Sequence, residues 1–273
     1  PNVSELADRL RLIGVDEETI HRCVRLDYLH NLKTLDRRSM EEPDTVFDEF
    51  KQMIRHYAGD DFEFAPHFTP SYRPWQQRVA FIPDGDLFVK IREGKVSAVT
   101  DQIERFTADG ILLKSGEELK ADLVVAATGF NLSVMGGIDF AVDGVPVDWS
   151  TTPTYRGMMF SGVPNLLWVF GYFRAAWTLR VDLLGDFVTR LLRHMDKKGV
   201  GQVTVVPPTD GANDALLPWI EDDNFNPGYL MRGLGKLPKR LGERPEWRHT
   251  QNYWREAEEI PAINLDGQEF AYR

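Results

Sequence analysis

Cys23 is the only cysteine among 273 residues. One thiol excludes an internal disulfide and any cysteine-built zinc site, and it points to a reducing, cytoplasmic setting. No apolar run approaches the roughly 18–20 residues of a membrane-spanning helix. Positive charge is scarce: 32 Lys and Arg stand against 42 Asp and Glu, a formal net charge of −10. That balance argues against a nucleic-acid partner, because phosphate binding needs clustered cations. The six histidines (His21, His30, His56, His67, His194 and His249) never fall into a His-x-x-x-His or His-Glu-x-x-His frame, so no metal site is expected. Gly-x-Ser-x-Gly is missing, and with it the hydrolase elbow. No Gly-x-Gly-x-x-Gly turn occurs either; Gly199-Val200-Gly201 lacks the third glycine and reads as a helix stop. The chain opens on Pro1 instead of Met, which predicts no signal peptide and suggests a piece of a longer protein.

What is present is a soluble composition, 42% hydrophobic and 27% charged, in a chain long enough for one large or two modest cores. Residues 4–58 read as helices. Ser4 is placed to cap the first, which carries Leu6, Leu10 and Ile13 on one face and stops at Gly14. Asp16 caps the second, with Glu17 and Glu18 in its first turn. Val46, Phe47, Phe50, Met53, Ile54 and Tyr57 give the third its stripe, and Gly59 closes it.

A proline- and aromatic-rich loop follows, "DDFEFAPHFTPSYRPWQQRVAFIPDGD", stiffened by four prolines. "GDLFVKIREG" reads as a short helix. "KVSAVTD", "IERFTADG", "ILLKSGEELK" and "ADLVVAATGF" read as a meander that ends in a continuous buried strand at 122–127. "GIDFAVDGVPVDW" suggests a hairpin, and 165–170 a second buried strand. A long amphipathic helix follows, with Val181, Leu184, Val188, Leu191 and Met195 as its buried stripe.

Three stretches stand out chemically. Ala127-Thr128-Gly129 ends an apolar run in small residues, which invites another group to approach the backbone. Arg78 lies between a proline-fixed loop and an apolar segment. It is either a surface cation paired with a carboxylate or a fixed cation aimed into a cleft, a job for which a permanently charged guanidinium is suited. In "FGYFRAAWTLRVDLL" a helix starts near Trp177 or Thr178. Its N-terminus offers free N–H groups to an anion, or else Trp177 packs in the core and Thr178 caps the helix.

In this order, the segments resemble the C-terminal half of flavin-dependent monooxygenases, of the Baeyer–Villiger class that includes the ethionamide-activating enzymes. The resemblance is carried by "HFTPSYRPWQQRVAFIPDGDLFVKIREGKVSAVTDQIERFTADGILLKSGEELKADLVVAATGFNLSVMGG" and "YRGMMFSGVPNLLWVFGYFRAAWTLRVDLLGDFVTRLLRHMD". "NFNPGYLMRG" and "PEWRHTQNYWRE" continue it, so that it covers nearly everything beyond about residue 43. The resemblance implies an α/β fold, a partial two-dinucleotide-binding-domain (Rossmann-like) flavoprotein with an N-terminal helical insertion and a β-meander. Residues 1–64 would be the helical insertion of the NADPH domain, 65–130 the second half of that domain, and 131–273 the C-terminal part of the FAD domain. The family's two glycine-rich turns and its Phe-x-Gly, histidine and Trp-Pro fingerprint are not found here, so the N-terminal half of the same enzyme is implied as a partner.

The implied activity uses FAD, NADPH and O2 to insert one oxygen atom into a ketone, or to oxidise a soft sulfur or nitrogen centre, through a flavin C4a-peroxide. By the same resemblance Arg78 is the active-site arginine. Ala127, Thr128, Gly129 and Phe130 bring the backbone to FAD. Trp177 and Thr178 open the helix aimed at the flavin pyrimidine carbonyl. Gly129 and that helix N-terminus are expected to face one cleft, with Phe130 and Trp177 partly exposed. Two rivals stand beside this reading: a truncated, non-catalytic remnant or partner chain that cannot bind FAD alone, and an N-hydroxylating flavin monooxygenase.

Overall fold

A computed structural model describes residues 4–208, 215–221 and 225–273. Asn224, which opens "NFNPGYLMRG", lies outside the described residues. The chain forms two compact units, one ending at Thr128 and the other beginning at Gly129.

The first unit opens with three helices whose ends follow from local chemistry. In α1 (Glu5–Leu12), the Ser4 hydroxyl accepts the Ala7 N–H at 3.3 Å. In α2 (Glu17–Glu41), the Asp16 carboxylate accepts the Thr19 N–H at 2.9 Å. Pro43 begins α3 (Pro43–Ala58), where a missing donor costs nothing, and Gly59 ends it at φ +107°. Arg38 clasps Glu49 through both terminal nitrogens, at 2.6 and 3.1 Å, and ties α2 to α3. Two of the expected stripe residues face water: Ile13, beyond the end of α1, and Met53. Next, α4 (Asp86–Arg92) packs on α3. Gly85 makes that approach possible, since a Cβ there would lie 2.2 Å from the Tyr57 ring. Phe62, Phe64 and Phe68 of the proline-rich loop form a small aromatic cluster with Phe88 of α4.

The meander is shorter than expected. β1 (Ile103–Phe106), β2 (Gly110–Leu113) and β3 (Glu118–Lys120) form an antiparallel sheet in that order. "KVSAVTD" takes no part in it, and neither does the expected buried strand at 122–127. Residues 121–130 join no ladder and are exposed throughout. An apolar run becomes a strand only when neighbouring edges take up its N–H and C=O groups, and none of the described strands does so here.

The second unit begins with two hairpins, β4 (Ala141–Val142) with β5 (Val145–Pro146), and β6 (Thr154–Tyr155) with β7 (Met159–Phe160). Then come α5 (Trp177–Lys198), β8 (Val203–Val205), β9 (Leu216–Pro218), α6 (Gly228–Gly233), β10 (Lys239–Leu241), α7 (Tyr253–Glu259) and β11 (Phe270–Tyr272). β8 pairs with β11 and β9 with β10, both antiparallel, which closes the chain end onto the middle. Every ladder among the described residues is antiparallel; only the isolated bridges Pro153–Lys239 and Ser161–Val205 run parallel. Residues 165–170 form no strand, against expectation; Asn165 and Val169 are exposed and the other four are half-buried.

α5 is the axis of this unit. Leu184, Phe187, Leu191 and Met195 bury against Met158, Val203, Val205, Trp247, Ile260 and Phe270. Val181, expected on the stripe, is 46% exposed, and Phe187 occupies the core instead. Gly199 ends α5 in the left-handed region at φ +66°. Phe187→Ala should therefore lower stability by about 3–5 kcal/mol, the usual cost of a large aromatic removed from a core. Val181→Ala should change it by no more than about 0.5 kcal/mol. Denaturant unfolding of the two variants checks the contrast, and equal losses would refute this placement of the stripe.

Candidate functional site

In the first unit, Arg78 sits on the proline-rich loop, exposed and without a hydrogen bond or ion pair to another described residue. The loop is anchored three residues earlier. Trp75 is buried, in contact with Phe81, and holds φ +61°, a conformation unfavourable for a bulky side chain. Ala127 and Thr128 close this unit in an exposed segment outside any helix or strand.

In the second unit, Gly129 adopts φ +104° in open space; a Cβ there would meet only the Arg232 guanidinium, at 3.8 Å. Arg232 Nη2 donates to the Phe130 carbonyl at 3.4 Å. The Phe130 ring is 74% exposed and stands edge-on to Tyr229. Tyr229 borders a cluster of Phe173, Trp219, Ile220, Phe225, Leu230 and Leu237.

α5 begins at this same cluster. Trp177 is 46% exposed and packs on Phe170, which in turn contacts Phe173 and Trp219. The indole lies directly over Gly171, where a Cβ would sit 2.2 Å from its Cγ. Ala176 occupies the cap position, no side chain caps the helix, and no acidic residue lies in the first turn. A 22-residue helix thus opens with neither a side-chain cap nor an acidic residue of its own first turn facing its dipole. Thr178 is exposed and does not cap. Phe130 and Trp177 are therefore drawn to one aromatic cluster, through Tyr229 and Phe170. Neither is sealed in a core.

What holds this arrangement is a set of buried polar residues that sequence reading missed. Arg180 has no exposed surface. Its Nε donates to Glu256 Oε2 at 2.8 Å, Nη1 to the Phe170 carbonyl at 2.7 Å, and Nη2 to the Arg156 carbonyl at 2.6 Å. Tyr172 donates to the same Glu256 oxygen at 2.6 Å, and Thr250 to the other at 3.2 Å. Burial, then the Glu256 charge, pushes the Tyr172 phenol far above its ordinary 10, so it stays a donor. Gln251 bridges further: its Oε1 accepts the Phe173 N–H at 2.8 Å, and its Nε2 donates to the Gly171 carbonyl at 3.2 Å.

These contacts explain why 170–173 is not a strand. Its polar backbone groups are taken by Arg180 and Gln251 instead of by a neighbouring edge. The signal was available in part. Arg180 lies four residues before Leu184, at core spacing on α5, and a cation in that position requires a buried partner.

His249 completes the group. Its Nδ1 accepts the Gln251 N–H at 3.0 Å, so the neutral ring carries its proton on Nε2. Burial, and then the Arg180 charge, hold its pKa well below the ordinary 6.5. Among the described residues, no group of three His, Cys, Asp or Glu side chains could hold a metal ion, and no helix is long and apolar enough to cross a membrane.

No protein-family model matches the chain. Curated proteins do. It is 46% identical over 226 residues to the FAD-containing monooxygenase EthA of Mycobacterium tuberculosis (strain ATCC 25618 / H37Rv), covering 82% of this chain and 45% of that protein. The EthA protein of Mycolicibacterium smegmatis is 46% identical over 202 residues, 74% of this chain and 40% of its own length. The "Probable FAD-binding monooxygenase AlmA" of Acinetobacter baylyi is 36% identical over 266 residues, 97% of this chain and 52% of its own. The chain spans about half the length of the curated relatives it matches.

The buried imidazole gives a signed pH dependence. In the unfolded chain His249 takes up a proton below about 6.5, whereas in the folded chain it does not. Its contribution is complete above that pH and is lost as pH falls, by up to about 1.4 kcal/mol per pH unit. Unfolding midpoints measured from pH 7.5 to 5.5 should fall in the wild type and flatten in His249→Gln. A flat wild-type profile would show that the ring is not held neutral.

Proposed function

We propose, from the premise that this chain belongs among the FAD-containing monooxygenases and corresponds to the C-terminal half of the ethionamide-activating type, that it supplies part of the FAD site and the active-site arginine of a Baeyer–Villiger-type enzyme. The observation that carries this reading is the 46% identity over 82% of the chain to a FAD-containing monooxygenase. On this reading residues 1–64 are the helical insertion of an NADPH domain, 65–130 its second half, and 131–273 the C-terminal part of a partial Rossmann-like FAD domain. The substrate is a ketone, or a soft sulfur or nitrogen centre, and the setting is cytoplasmic.

The residues of the second unit fit a flavin. The start of α5 at Trp177 and Thr178 has no side-chain cap and no acidic residue in its own first turn, which suits a carbonyl that gathers negative charge. Phe130 and Trp177 offer exposed aromatic faces. Gly129 leaves open space at its missing Cβ, so a ring can approach the backbone. Ala127 and Thr128, at the end of the first unit, are assigned to FAD by the family resemblance alone. When bound, FAD with NADPH supplies the activation of O2 for transfer of one oxygen atom. Arg78, exposed and without a partner among the described residues, is free to meet negative charge developing on the substrate oxygen. Loss of one such donor commonly costs 10²–10³-fold in rate.

A second reading is favoured by the missing Gly-x-Gly-x-x-Gly turn, which normally supplies pyrophosphate donors. On that reading the chain alone is a non-catalytic part that needs its N-terminal half.

Three measurements bear on these readings. The purified chain, mixed with FAD and desalted, should retain no stoichiometric flavin absorbance; a retained band would overturn its dependence on the N-terminal half. In the full-length protein, Arg78→Ala should keep FAD and still oxidise NADPH, while oxygenated product from a ketone falls at least about 100-fold. Product formation at the parent rate would remove Arg78 from the active site. Trp177→Phe in the same protein should raise the fluorescence of bound FAD, because an adjacent indole quenches flavin emission. Unchanged emission would place the flavin elsewhere.

A further inference from the structure

We infer that Glu256 is a positioning residue for the flavin site: through Arg180 it fixes the Phe170–Gly171 wall on which Trp177 rests, and its carboxylate balances a buried cation in the first turns of α5. The inference rests on the reading that FAD lies at the start of α5. Arg180 is three residues beyond Trp177, and its guanidinium has no exposed surface. Three carbonyl oxygens, from Arg156, Gly157 and Phe170, accept from it at 2.6, 3.3 and 2.7 Å, but carbonyls do not neutralise a charge. Glu256 does, accepting from Nε at 2.8 Å and from Nη2 at 3.4 Å. Its own side chain is 3% exposed.

The carboxylate nearest this pair on α7, Glu259, is already shared between two other guanidiniums and is not available to Arg180. Arg156 donates to Glu259 at 2.7 Å, and Glu259 also accepts from Arg255 at 2.5 Å. The buried His249 is neutral and Tyr172 remains protonated. Glu256 is therefore the one buried counter-charge to Arg180 among the described residues. Removing it while Arg180 remains adds a positive charge near the end of a helix that is already positive, in surroundings where solvent screens little. A ligand at that end that gains negative charge on reduction would be favoured in its reduced form.

The test uses the full-length protein loaded with FAD and reads the midpoint potential of the bound flavin, with thermal unfolding of the apo-protein alongside. Glu256→Gln, which keeps the shape and loses the charge, should shift the potential upward. Tyr172→Phe removes one hydrogen bond from the same carboxylate without changing charge; it should lower the unfolding temperature and leave the potential in place. Arg180→Gln combined with Glu256→Gln should return the potential to the parent value. A purely structural role would move Glu256→Gln and Tyr172→Phe alike in both readouts, and that result, or an unmoved potential in Glu256→Gln, overturns the inference. If Glu256→Gln does not accumulate, Glu256→Asp carries the test. It should keep the parent potential while the FAD dissociation constant rises several-fold, because the shorter arm cannot hold Arg180 and Tyr172 together; an unchanged dissociation constant then overturns the inference. The Trp177→Phe fluorescence result separates the two levels. Unchanged emission refutes the placement of FAD, whereas raised emission with an unmoved Glu256→Gln potential refutes only the role of Glu256.

Discussion

The ion pair between Arg180 and Glu256 is the constraint around which the second unit is organised. It joins residues 76 positions apart, and both partners are almost wholly buried. A buried charge left without its partner costs roughly 3–5 kcal/mol, whereas an exposed pair such as Arg9 with Glu5 is worth about 0–1 kcal/mol. The many surface pairs on the helices therefore matter little beside this one. Once Arg180 must reach Glu256, α5 and α7 are locked in relation to each other. The carbonyls of Arg156, Gly157 and Phe170 are drawn in to complete the guanidinium's five donors. Gly157 has to be a glycine for the same reason of crowding, since a Cβ there would lie 2.6 Å from the His249 ring.

That network also accounts for what the hydrophobic pattern could not convey. Residues 165–170 and 122–127 both look like buried strands, because continuous apolar runs usually find edges on both sides. In the first case the run makes only an isolated antiparallel bridge, Leu167 with Met159, and from Phe170 onward its backbone groups are taken by Arg180 and Gln251, so the bridge does not extend into a ladder. In the second case no described strand offers an edge, and Leu123 and Val125 face solvent at 81% and 77% exposure. The same period-based reasoning misjudged Val181 and overlooked Phe187. Both fit a helical spacing, and only the position of the packed neighbours Trp247 and Ile260 decides between them.

Features fixed within a few residues were legible. Ser4, Asp16, Gly59 and Gly199 act where the sequence places them, since a cap or stop depends on groups two to four residues away. The hairpin at 141–146 and the short helix at 86–92 were legible for the same reason. The resemblance named candidate residues but not the network that supports the start of α5. Nothing near Trp177 in the sequence announces Glu256, Thr250 or Gln251, which arrive from more than seventy residues downstream.

α5 itself shows how one element serves two demands. From Leu184 to Met195 it is a core helix, and its apolar stripe gives it a fixed axis. Its first turn has the opposite character: uncapped, without acid, and carrying an indole that rests on a glycine backbone. A capping serine or an early glutamate would satisfy the N-terminal donors and stabilise the helix by about 1 kcal/mol. The absence of either leaves those donors for another acceptor, and stability is recovered from burial further along the helix. Arg180 sits where the two regimes meet. It converts the rigidity of the core into a fixed position for the open end, because a guanidinium bonded to three carbonyls and a carboxylate cannot shift without leaving a buried charge unpaired.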